Sequence, residues 1–63
     1  MIPGDRVMMY SGNNRHIWRG TIVPPHVDKQ TPKDYYRIEW DDGMISYVAK
    51  VRVEPDDRND NLL

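Results

Sequence analysis

YYRIEWDDGMISYV, residues 35–48, decides how the rest of the chain is read. Apolar and polar residues alternate over 35–40 and again over 44–48, the period of a strand buried on one face only. Between the two runs stand Asp41, Asp42 and Gly43. Aspartate bonds to its own local backbone and glycine accepts positive φ, so this is the chemistry of a tight hairpin connection. Two strands are therefore set side by side.

Working outward, RVMMY at 6–10, HIWRGTIV at 16–23 and KVRVE at 50–54 have the same character: short, rich in β-branched or aromatic residues, and bounded by Gly, Pro, Asn and Asp. No helical period persists over three turns. Pro3 and Gly4 mark the entry to the first strand, SGNN at 11–14 reads as a turn, and the prolines of PPHVDKQTPKD at 24–34 argue for an irregular loop. Alternation gives an expected inner set: Val7 and Met9; Trp18, Gly20 and Ile22; Tyr36, Ile38 and Trp40; Ile45 and Tyr47; Val51 and Val53. Gly20 fits a sharp bend or a close backbone approach. Five strands in 55 residues are too few for a sandwich, so the expected fold is all-β, a single small five-stranded, strongly bent barrel over 1–55. Pro55 is expected to stop the last strand. Residues 56–63, DDRNDNLL, offer only Leu62 and Leu63 to bury and are expected to form a disordered acidic tail.

The chain has 63 residues and no cysteine, so its one core must hold without disulfides or thiolate-bound metal. With 38% apolar and 30% charged residues, the six aromatics must supply much of the buried area. The formal charge of −1 gives no overall pull toward polyanions, and residues 1–55 hold eight bases against seven acids. No apolar run is long enough for a membrane helix and no secretory signal pattern opens the chain, so a cytoplasmic monomer without membrane insertion is expected.

PGDRV, RGTIV, YRIEWDDGMISYV and VRVEP together resemble the Src-homology-3-like small barrels of the Tudor and KOW type. In particular they resemble a bacterial domain of unknown function with a GDR strand and a Y-x-V-x-W-D-D-G hairpin. About 50 of the 63 residues take part in the resemblance. It implies a Src-homology-3-like barrel, which hosts many unrelated functions. Small photosynthetic accessory subunits, which dock electron carriers and hold no cofactor, share the length and barrel pattern. The Tudor resemblance implies an aromatic cage for a methylated cation, with Tyr10, Trp18, Tyr35 and Tyr47 as candidate rings and Asp41 or Asp42 as the acid. The need for core material favours a packing role for most of these rings, Tyr10 and Tyr35 excepted because alternation points them outward.

No constellation suggests catalysis. Asp41 and Asp42 read as turn residues, and His16 and His26 lack the further ligands of a metal site. Ser11 and Ser46 lack the glycine elbow that exposes a nucleophile. No cofactor, metal or catalytic residue is therefore expected, and the chain reads as a non-enzymatic module for protein interaction or assembly. A nucleic-acid-binding module of the KOW or Tudor kind is the alternative, and docking of an electron carrier a second. The outward bases Arg6, Arg15, Arg19, Arg37, Lys50 and Arg52 are interrupted by Asp5, Glu39 and Glu54. One continuous basic face including Arg19, Arg37 and Arg52 would favour nucleic acid, and mixed charge a protein. The partner-binding residues read from the sequence are Tyr10, Tyr35, Lys29, Lys33 and Arg37: exposed rings, the long loop and an adjacent arginine.

Overall fold

The structure is a computed structural model that describes residues 1–10, 12 and 16–56. Among the described residues five antiparallel strands form one sheet: β1 (Arg6–Tyr10), β2 (Ile17–Ile22), β3 (Tyr35–Trp40), β4 (Ile45–Ala49) and β5 (Glu54–Pro55). Their order is β4-β3-β2-β1-β5. The strands β4 and β5 are thus consecutive in the chain yet lie at opposite edges. A flat five-stranded sheet would hold its outer strands about 19 Å apart, at about 4.8 Å per step. The connection from Ala49 to Glu54 contains a 3-10 turn over Lys50–Arg52, and at about 2 Å rise per 3-10 residue it reaches at most about 15 Å. The sheet must therefore curl strongly. It is bent as expected but is not closed into a barrel, because no ladder joins β4 to β5.

Curling brings Val7, Ile22, Ile38, Trp40 and Val53 into one buried cluster, with Met9, Tyr36 and Val48 packed against it. Gly20 sits where β2 meets β3: an added Cβ would lie 2.7 Å from the Glu39 carbonyl oxygen and 2.8 Å from Ile38 Cγ2. The close approach read from the sequence is present.

The expected inner set needs correction on β4. Ile45 and Tyr47 are exposed, and Val48 is the β4 residue against the core. The turn explains why. Gly43 N–H donates to the Trp40 carbonyl, Trp40 N–H donates to the Met44 carbonyl, and Gly43 has φ of 94°. The loop is thus three residues long and closed by a glycine in the left-handed region, a common form of three-residue hairpin loop. It sets Ile38 opposite Ser46 and Tyr36 opposite Val48. Matching Ile38 with Ile45 and Tyr36 with Tyr47 would need a loop one residue shorter. Because the side-chain period is two, that single residue sends Ile45 and Tyr47 to the outer face.

Further expectations change. The stretch 50–54 is mostly the 3-10 turn, with Val51 94% exposed, and strand pairing begins only at Glu54. Pro55 lies within β5 opposite Val7, as an edge strand permits. Trp18 shares the inner face with Trp40 but stands at its open end, 40% exposed. Met8, on the outer register, is buried. Most of the SGNN turn and residues 57–63 of the expected tail lie outside the described residues. Asp56 belongs with the sheet, since its N–H donates to the Arg6 carbonyl.

Candidate interaction groove

The open end of the curled sheet is lined by Met9 of β1, Trp18 of β2, Trp40 of β3, and Met44, Ser46 and Val48 on and before β4, with Asp42 at the rim. These residues enclose a cleft of about 290 Å³. Trp18 meets Trp40 edge-on at 6.3 Å between ring centres, and His16 meets Trp18 in the same manner at 4.9 Å. The Trp40 indole N–H donates to Ser46 Oγ at 2.7 Å, so the buried ring leaves no unpaired donor there. Met44 stands 65% exposed beside the cleft.

Met9 and Val48 also line a second cleft, of about 300 Å³, with Tyr35, Tyr47, Ala49 and Arg52. The two clefts therefore meet along Met9 and Val48. Together they form a groove with Trp18 and Asp42 toward one end and Tyr35, Tyr47 and Arg52 toward the other. Its floor lies between β1 and β4, which no ladder joins.

The charged side chains near the groove are largely engaged. Arg6 Nη1 and Nη2 donate to the two carboxylate oxygens of Asp41, each at 2.8 Å, and Nη1 also donates to Thr21 Oγ1. This pair is exposed and holds the start of β1 against the β3–β4 turn. Exposed pairs contribute little stability, so its main effect is positional. Asp42 Oδ1 accepts the Met44 N–H, which fixes the turn. Arg19 Nε lies 3.4 Å from Asp56 Oδ2 without an aligned hydrogen bond, and the Asp56 carboxylate is almost fully buried. Among the described residues, no three His, Cys, Asp or Glu side chains gather as a metal site. No helix there is long and apolar enough to cross a membrane.

The structure does not gather the sequence-read partner residues in one place. Tyr35 lines the groove, whereas Lys33 lines a separate cleft with Gln30, Thr31 and Pro32. Lys29 is exposed in a turn where its N–H donates to the His26 carbonyl. Arg37 is turned to the fold: Nη1 donates to the Pro24 carbonyl at 2.6 Å and ties the long loop to β3. Tyr10 is 39% exposed at the end of β1, opposite Ile17. The four candidate cage rings are likewise divided, with Trp18 in one cleft and Tyr35 and Tyr47 in the other.

Sequence reasoning did not reach Met9 and Met44 as groove residues. The signal available was a polarizable, adaptable side chain immediately after the turn glycine, a type common at surfaces that accept varied partners. Comparison with protein-family models, curated proteins and solved structures gives no match.

Proposed function

We propose that this chain is a non-enzymatic, Src-homology-3-like interaction module whose groove binds a segment of another protein. The observation that carries the reading is the groove that the two clefts make where they share Met9 and Val48. Its floor is apolar, rings stand at both ends, and an acid and a base lie at opposite ends. Such a surface suits an extended polypeptide, whose side chains fill apolar pockets while its charges fix direction. The strong curl that returns β5 beside β1 after a short 3-10 turn fits a small Src-homology-3-like fold, with the sheet left open between β4 and β5. The groups with chemical potential serve the fold: Asp41 holds Arg6, Asp42 caps the turn and Ser46 accepts from Trp40.

The mixed charge weighs against nucleic acid. Arg19 is drawn to Asp56 and Arg37 to the Pro24 carbonyl, while Thr21 stands opposite Glu39 on the outer face. A continuous phosphate-binding stripe would need those arginines presented outward.

The test is selection of random linear peptides on the immobilised chain, followed by titration of tryptophan emission, with single-stranded oligonucleotides as the counter-probe. Selected peptides are expected to shift the emission saturably and to lose binding to a folded Trp18→Ser variant, and oligonucleotides to leave it unmoved. Binding that ignores Trp18→Ser, or a saturable response only to oligonucleotides, would overturn the reading.

A further inference from the structure

The two edges of the sheet are built differently. β5 is two residues long and consists of a glutamate and a proline, the features that keep an edge from recruiting another strand. β4 is five residues long, ISYVA, with no charge and no proline. Its hydrogen-bonding groups follow from the ladder. Trp40 N–H donates to Met44 and Lys50 N–H to Asp34, so the even-numbered residues of β4 face β3. The N–H and C=O groups of Ile45, Tyr47 and Ala49 consequently point away from the sheet. Among the described residues no strand pairs with that side. Ile45 and Tyr47 also expose 47% and 37% of their surface on the outer face.

We propose that the β4 edge pairs antiparallel with β4 of a second copy of this chain, about a two-fold axis at Tyr47. The charges flanking the strand select this occupant. Asp42 precedes it, with Asp41 already held by Arg6, and Lys50 and Arg52 follow it. Two such edges in antiparallel register bring the acidic end of each against the basic end of the other, whereas parallel register would set like charges together. Centred on Tyr47, the pairing sets Ile45 opposite Ala49 of the second copy and Tyr47 opposite its own counterpart. These are the residues whose backbone groups face outward. The outer face then gains a Tyr47 pair flanked by Ile45, the apolar contact its exposure leaves available. Five-residue strands bury little area beside a stable dimer, so association is weak, with a dissociation constant of about 10 μM to 1 mM. This departs from the monomer expected from the sequence, and it shares Tyr47, Ala49 and Arg52 with one end of the groove, whereas the peptide test reads Trp18 at the other end.

Sedimentation of the full chain across that range, with amide exchange followed residue by residue, tests the proposal. We expect a monomer–dimer equilibrium in which the Ile45, Tyr47 and Ala49 amides gain protection as concentration rises. Tyr47→Lys places like charges across the axis and should weaken association by about tenfold or more. Arg52→Glu should weaken it by a smaller factor, with melting of the dilute protein unchanged. A chain that stays monomeric throughout, with those three amides unprotected, overturns the proposal and leaves the edge to a strand from a different protein. A dimer that both variants leave intact overturns it equally, because the contact then lies elsewhere.

Discussion

Strands β3 and β4 carry nearly the same message in sequence and opposite outcomes in structure. Tyr36, Ile38 and Trp40 alternate with polar neighbours, and the last two are buried. Ile45 and Tyr47 alternate just as regularly, and both are exposed, while Val48 packs against the core and Ser46 accepts from the Trp40 indole. The difference arises in the loop between them. Three residues closed by Gly43 set the register, and the apolar residues of β4 take the face that the register leaves them. Turn length thus outranks apolarity in choosing a face. An apolar strand turned outward by its turn is then available to a partner.

The sharpest way to break this contrast is to truncate one ring on each strand. Trp40→Ala should cost about 3 to 5 kcal/mol, much of the stability of so small a domain, because the ring is core and its N–H is paired. Tyr47→Ala, in dilute protein, should stay within about 1 kcal/mol. Denaturant unfolding reads both, and comparable losses would mean that Tyr47 is buried after all.

Next in size is Gly20→Ala, where crowding against Glu39 and Ile38 should cost about 1 to 3 kcal/mol. This tests the bend that lets the β3 face enclose a core. Gly43→Ala should cost somewhat over 1 kcal/mol for a different reason: no atom lies within 4 Å of an added Cβ, but φ is positive. If thermal melting shows Gly43→Ala to be neutral, the turn does not impose the register. The smallest change expected is Ile45→Thr, within about 0.5 kcal/mol, since an exposed β-branched residue replaces another at a strand position.

These contrasts also mark how far the sequence could be read. β1 and β3 match the runs RVMMY and YYRIEW residue for residue, since alternation bounded by turn residues specifies both. Gly20 was legible because a glycine inside a strand pattern implies close approach. The face of β4 was not, since Asp-Asp-Gly accommodates loops of either parity and only the hydrogen bonds of Trp40 and Gly43 distinguish them. KVRVE was misleading in a similar way: alternation resembles a strand whether or not a partner lies within reach. At the site, Tyr35 was legible as an outward ring beside a cleft. Arg37 reads as available from its register alone, but the carbonyl of Pro24 that engages it lies 13 positions away in a loop with no periodic signal.

The register of the β3–β4 hairpin is the claim on which the rest depends, and proton–proton Overhauser contacts between Hα atoms read it directly, since only non-hydrogen-bonded pairs bring them close. The account predicts contacts from Arg37 to Tyr47 and from Glu39 to Ile45. Contacts from Arg37 to Ser46 and from Glu39 to Met44, the non-hydrogen-bonded pairs of the register that would match Ile38 with Ile45, would mean that apolar matching, not the three-residue turn, sets the register, and would contradict the account.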